Sequence, residues 1–238
     1  MTTARTETIS GGPDGDFAAH IVTPDSGTGP GLLIIQEIFG VNEYVKSVCD
    51  RVAAMGYVAL APDMFHAQEP GFVVEPDEGD EGMGKAFAKM GGFNMETAPA
   101  VLGAALDHLK GLPECSGQAA VMGFCFGGTM TFLAAADLDP VCAVSYYGSG
   151  VAGLLADKAD SVSCPIMFHF GGDDPFLPNE DSNAVAERFA NVDSATVLVQ
   201  AGAGHAFDNN MNPAFSNPAA AAAAWEHTSA FLAQHLPV

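Results

Sequence analysis

Basic residues are scarce in this chain of 238 residues, which has 8 Lys and Arg against 29 Asp and Glu and a formal net charge of −21 at pH 7. Such a chain is poorly suited to bind nucleic acid or an anionic membrane surface, because both are polyanions. No apolar run approaches the roughly 20 residues that cross a bilayer, and residues 1–5 lack the apolar region of a signal peptide. We therefore expect no nucleic-acid or membrane partner, and a cytoplasmic location.

Cysteine is also sparse, and its spacing is irregular. The chain has five cysteines, an odd number, and none forms a Cys-x-x-Cys pair: Cys49, Cys115, Cys125, Cys142 and Cys164. Disulfide frameworks and structural zinc sites need paired, regularly spaced cysteines. The pattern therefore predicts reduced thiols, no metal site and no cofactor.

Apolar sequence is plentiful, since 48% of the residues are hydrophobic, and no linker divides it, so we expect one domain over residues 1–238. Short apolar runs alternate with segments of helical spacing. Strands are predicted at 31–35, 57–61, 119–122, 141–146, 166–170 and 196–200, and helices at 44–55, 97–109, 129–136, 181–190 and 219–234. This alternation predicts an α/β-hydrolase fold, with a mostly parallel central sheet and helices on both faces.

The most informative motif is GFCFGG at residues 123–128, between a predicted strand and a predicted helix. This is the context of a nucleophile elbow, with cysteine where serine is usual. The glycines suit a cramped turn, because small residues let strand and helix approach closely. The motif predicts Cys125 as a nucleophile, against the alternative of an inert core cysteine.

A cysteine nucleophile needs a base and an acid to orient that base, and in this fold the acid and then a histidine follow the nucleophile in sequence. Asp173 and Asp174 follow the fifth predicted strand, and His205 lies in a glycine-rich turn after the sixth. The carboxyl ends of parallel strands share the sheet edge where ligands bind. The order predicts a catalytic triad, although such acids also form turns and loop histidines are often solvated. His169, inside a strand, is predicted to be a core histidine.

In these residues the chain resembles the dienelactone hydrolase family, the cysteine-nucleophile branch of the α/β-hydrolases. The resemblance spans nearly the whole chain and is carried by QEIFG (36–40), GFCFGG (123–128), YYG (146–148), GGDDPFLP (171–178) and GHAF (204–207). It implies a hydrolase of the carboxymethylenebutenolidase type that cleaves a small ester or lactone. It also implies Cys125 as nucleophile, His205 as base and Asp174 as acid, because the family's acid comes second after the glycine pair. Asp173 is the fallback.

The resemblance gives further roles to three residues. Glu37 would contact the thiol in the resting enzyme and help control its ionisation when substrate arrives; a charge at a helix N-terminus is the alternative. The backbone N–H groups of Ile38 and Phe126 would form the oxyanion hole. The thiolate of Cys125 would attack the carbonyl and form a thioester, which water activated by His205 would hydrolyse.

Substrate-binding residues are where this chain departs from the family. Members are expected to hold a substrate carboxylate with arginines, one of them at the position of Asn209. Lys85 or Lys89 is a candidate replacement cation, and Tyr146 is a candidate pocket residue. Three activities stay open: dienelactone-type hydrolysis, a carboxylesterase or thioesterase acting on a neutral substrate, and a catalytically silent protein that binds a small ligand. Residues 66–80 are predicted as an acidic surface excursion and a candidate lid.

Overall fold

The computed structural model describes residues 2–238 of the chain. Within this range, its eight strands are β1 Thr3–Gly12, β2 Gly15–Thr23, β3 Gly29–Ile35, β4 Val58–Pro62, β5 Cys115–Phe124, β6 Ala143–Tyr146, β7 Ile166–Gly171 and β8 Ala195–Gln200. Its seven α-helices are α1 Glu43–Ala54, α2 Gly79–Gly91, α3 Ala98–Gly111, α4 Phe126–Asp137, α5 Val151–Lys158, α6 Asn179–Phe189 and α7 Pro218–His235. The eight-stranded, mostly parallel sheet confirms the predicted α/β class. The chain divides into two compact units, residues 2–120 with Val238 and residues 121–237, and a single domain stays a prediction.

The first unit contains a hairpin that the sequence did not predict. β1 and β2 pair antiparallel, β2 pairs antiparallel with β4, and β3 pairs parallel with β4. In β1 only Ile9 is buried, so this strand has no apolar run of the kind that marked the others. Helices α1 and α3 pack against the strands of this unit.

The second unit is built from parallel strands in the order β5, β6, β7 and β8. Every residue of β6 and β7 is buried, which is typical of parallel strands covered on both faces. The register places Phe124, Tyr146 and His169 next to one another on adjacent strands. Consequently the carboxyl ends of these strands, and the turns that follow them, lie at one edge of the sheet.

The segment 66–80 is held more firmly in the first unit than a surface excursion would be. Val73 forms an isolated bridge with Gly40, the Val74 N–H donates to the Phe39 carbonyl at 2.9 Å, and Phe72 and Val74 are buried. The predicted surface excursion is therefore wrong for its middle part. Its acidic end begins α2, which the sequence analysis missed because four of that helix's 13 residues are glycine.

Candidate active site

Cys125 lies in a sharp turn between β5 and α4. Its backbone has φ 57° and ψ −115°, in the left-handed region that non-glycine residues rarely occupy. Three backbone hydrogen bonds hold this geometry: the Cys125 N–H donates to the Tyr146 carbonyl, and the N–H groups of Gly128 and Thr129 donate to the Cys125 carbonyl. A side chain at Gly123 would overlap the Gly127 carbonyl, so glycine is required there. The turn thus presents a partly exposed thiol at the N-terminus of α4.

The structure brings Cys125, His205 and Asp174 together within the second unit. The Nε2 atom of His205 lies 3.0 Å from Cys125 Sγ, and its Nδ1 atom lies 2.7 Å from Asp174 Oδ2. Asp174 also accepts a hydrogen bond at Oδ1 from the Phe176 N–H, at 2.8 Å. Both carboxylate oxygens of Asp174 are therefore occupied, while Asp173, the fallback acid, is exposed. This chain of contacts has the geometry of nucleophile, base and orienting acid.

The charge state of His205 follows from its two neighbours. Burial alone lowers the pKa of His205, because an imidazolium is poorly solvated inside the protein. Negative charge at Cys125 and hydrogen bonds to Asp174 and Cys125 outweigh this effect and raise the pKa to about 10. At neutral pH the ring of His205 therefore carries a positive charge, and its Nε2 atom lies beside the sulfur of Cys125.

Three other cysteines provide a contrast to Cys125. Burial raises the pKa of Cys142 to about 12 and that of Cys164 to about 11. Burial also raises the pKa of Cys49 far above its ordinary value. These thiols stay protonated and are inert at neutral pH. Cys115 is the other partly exposed cysteine, and its thiol points to the Gln118 carbonyl at 3.7 Å.

Aromatic rings surround the imidazole of His205. Tyr147 and Phe176 each have their ring centroid 5.3 Å from that of His205. Tyr147 is fully buried, whereas Phe176 is 51% exposed. The sequence analysis assigned no role to Phe176, although an aromatic residue two positions after the predicted acid was a signal that could have been used.

Tyr146 and His169 belong to a buried polar network. The Tyr146 hydroxyl lies 2.7 Å from Thr228 Oγ1 on α7, and His169 Nε2 lies 3.0 Å from the same oxygen. All three residues are fully buried. The prediction that His169 is a core histidine is confirmed, and burial lowers its pKa to about 3. For Tyr146, predicted to line a substrate pocket, this geometry favours a structural role.

Glu37, Ile38 and Phe126 each lie at the end of a strand or the start of a helix. Glu37 and Ile38 follow β3 in the first unit and are buried. Phe126 is the first residue of α4 in the second unit, where a backbone N–H has no acceptor inside the helix. Their roles stay predictions.

The candidate substrate cations are engaged in ion pairs. Lys85 lies 3.2 Å from a carboxylate oxygen of Glu78 and 3.1 Å from one of Glu81. Lys89 lies 2.6 Å from Glu69. Either lysine would have to leave a carboxylate to bind an anionic substrate.

Asn209 is buried in the turn after His205. Its Oδ1 atom accepts hydrogen bonds from the N–H groups of Met211 and Asn212, each at 3.2 Å. The side chain thus stabilises its own turn. Among residues 2–238, no three His, Cys, Asp or Glu side chains are grouped to hold a metal ion, and no helix has the length and apolar character to span a membrane.

The fold and this constellation define an α/β-hydrolase. Comparison with known proteins narrows the class: residues 17–236 match the model of the dienelactone hydrolase family. The chain belongs to that family, and it is a carboxylic-ester hydrolase with dienelactone hydrolase-like activity.

Characterised relatives and solved structures agree with this assignment. The chain is 34% identical to the carboxymethylenebutenolidase of Pseudomonas sp. strain P51, over 85% of this chain and 84% of the relative. It is 32% identical to the carboxymethylenebutenolidase of Pseudomonas putida, over 87% of both chains. A dienelactone hydrolase-like promiscuous phosphotriesterase from metagenomic libraries has the same fold, with a TM-score of 0.78, 23% identity and 99% of both chains covered.

Proposed function

We propose that this hydrolase cleaves a small ester or lactone through a thioester on Cys125, with His205 and Asp174 completing a catalytic triad. The contact of 3.0 Å between His205 Nε2 and Cys125 Sγ is the observation that carries the proposal. The proton retained by His205, together with the N-terminus of α4, stabilises a thiolate. A silent binding protein would have no need for this alignment.

The reaction proceeds in two stages under this proposal. The Cys125 thiolate attacks the carbonyl carbon, and the Phe126 N–H at the start of α4 stabilises the resulting oxyanion. As the C–O bond breaks, imidazolium Nε2–H gives its proton to the leaving oxygen. The neutral imidazole then takes a proton from water, and the hydroxide attacks the thioester and releases the acid. Asp174 holds the imidazole in orientation throughout.

Replacement of Cys125 tests the nucleophile directly. In Cys125→Ala, kcat/KM for a short-chain chromogenic ester should fall at least about 10³-fold, because no other group can form the thioester. Cys115→Ala is the matched control, since it removes the other partly exposed thiol and should leave activity unchanged. Acid quenching during turnover, followed by peptide mass mapping, should place the acyl group on Cys125. Full activity in Cys125→Ala would refute the proposal.

A neutral substrate is the second proposal, favoured by the ion pairs of Lys85 and Lys89. To bind an anionic substrate, a lysine would have to give up its carboxylate partner and the substrate would lose its hydration. The chain's net charge of −21 also repels an anion. A neutral lactone should therefore have a higher kcat/KM than its carboxylate-bearing analogue. The opposite ranking, with a loss in Lys85→Ala, would support dienelactone-type recognition. We also propose a cytoplasmic location. The five free cysteines support it, because disulfides form mainly in oxidising compartments.

A further inference from the structure

The exposed ring of Phe176 stands out among the residues around the triad. It is 51% exposed, although an aromatic side chain gains about 25 cal/mol for each Å² removed from water. Its centroid lies 5.3 Å from that of His205, with the rings inclined at 72°. A single imidazole therefore separates this apolar surface from the nucleophilic sulfur.

The turn around Phe176 keeps the ring at this position. The Phe176 N–H donates to Asp174 Oδ1 at 2.8 Å, so the residue is tied to the orienting acid itself. The next residue, Leu177, is buried in the core of the second unit beside Phe170 and Val185. Leu177 thus lies in the core while Phe176, one residue earlier, is 51% exposed beside His205.

The chemistry of the reaction decides which part of a substrate lies closest to this ring. When Sγ bonds to the carbonyl carbon and the C–O bond breaks, the leaving oxygen must lie near Nε2 of His205 to receive its proton. The alcohol part of the ester is attached to that oxygen. The group that reaches past His205 toward Phe176 is therefore the alcohol part and not the acyl part.

We propose that Phe176 is a specificity-determining residue that binds the alcohol part of the substrate and selects esters or lactones that are apolar at the carbon attached to the leaving oxygen. This inference rests on the proposed triad mechanism and names the substrate class for it. Because the alcohol of an open-chain ester departs when the thioester forms, Phe176 contributes to acylation by such esters and has no part in hydrolysis of their thioester.

Phe176→Ala tests this with two ester series. In the first series the acyl group is acetyl and the alcohol grows from methyl to butyl and benzyl; in the second the alcohol is methyl and the acyl chain grows. For each ester, kcat/KM of the variant is divided by that of the wild type, so that intrinsic reactivity cancels. The ratio should fall about tenfold from methyl to benzyl acetate and stay constant along the acyl series.

Two controls isolate the ring. Val199→Ala removes another side chain of the second unit that is 50% exposed and should give a constant ratio in both series. Phe176→Leu keeps an apolar side chain and should retain part of the preference for long alcohols. The rate of thioester hydrolysis, measured as the decay of the acetylated protein, should be equal in wild type and Phe176→Ala.

The outcomes separate this inference from the proposed function. If the wild type cleaves these esters but the Phe176→Ala ratio is constant along the alcohol series, or varies along the acyl series, the inference is overturned and the triad stands. A slower decay of the acetylated variant would also overturn it. If the wild type cleaves none of the esters and Cys125 is never acylated, the proposed function fails and the inference fails with it.

Discussion

Two buried aspartates, Asp63 in the first unit and Asp174 in the second, sit in nearly identical turns after a strand. Each accepts a hydrogen bond at Oδ1 from the backbone N–H two residues later, Phe65 at 3.0 Å and Phe176 at 2.8 Å. Each also has a partner 2.7 Å from Oδ2. For Asp63 that partner is the Gly71 N–H, whereas for Asp174 it is the imidazole of His205.

The partner of the second oxygen separates a carboxylate that holds a loop from the carboxylate that we propose as the triad acid. Asp63 closes the loop from residue 63 to residue 71. Burial raises the pKa of its carboxyl group, because the loss of hydration outweighs the hydrogen bonds from the Gly71 and Phe65 N–H groups. Asp174 faces the imidazole of His205, which can carry a positive charge. The other nitrogen of that imidazole contacts the thiol of Cys125. The same kind of turn therefore closes a loop in one unit and contacts the imidazole of His205 in the other.

Of the substitutions in these two turns, Asp174→Asn should have the largest effect on activity. The Asn side chain can still accept from the Phe176 N–H, but its amino group would face Nδ1 of His205 and impose the wrong tautomer. We expect kcat/KM for a short-chain ester to fall about 10³- to 10⁴-fold. Asp173→Asn, at the exposed neighbour, should keep full activity. The reverse ranking of the two variants would make Asp173 the acid.

The raised pKa of His205 predicts the next largest effect, on stability. Because the folded protein holds this proton more tightly than the unfolded chain, the stabilisation is complete below the ordinary pKa of 6.5 and is lost as pH rises to about 10. The denaturant midpoint should therefore decline from pH 7 to pH 10. Cys125→Ala removes the negative charge next to the imidazole, so its midpoint should change less. Equal slopes for the two proteins would show that Cys125 does not stabilise the charged histidine.

Much of the second unit could be predicted from the sequence, because its signals are local. Buried parallel strands form continuous apolar runs, and the elbow glycines and the acid and histidine turns each lie directly after such a run. The triad order then follows from the topology of the sheet. These local patterns indicated Cys125, Asp174 and His205. In the structure His205 lies 3.0 Å from Cys125 Sγ and 2.7 Å from Asp174 Oδ2, and the catalytic role of each residue stays a prediction.

The features that were missed depend on partners far away in the sequence. The Tyr146 hydroxyl meets Thr228, 82 residues later, and no pattern around either residue indicates the other. β1 is missed because its residues are mostly exposed. It is a strand because it pairs with β2, and its composition does not indicate that pairing. The role of Asp63 is of the same kind, since Gly71 becomes its partner only when the loop closes.

Asp63→Asn, in the turn of the first unit, should have the smallest effect on activity. An amide has one acceptor oxygen, so either the Phe65 or the Gly71 N–H would face an amino group. We expect the free energy of unfolding to fall by about 1–3 kcal/mol, measured by denaturant titration, while kcat/KM of the folded enzyme stays within about twofold, because no atom of this loop takes part in the proposed proton relay. If Asp63→Asn instead abolished activity at unchanged stability, the two turns would be functionally equivalent, and the identity of the second partner would no longer distinguish a structural carboxylate from a catalytic one.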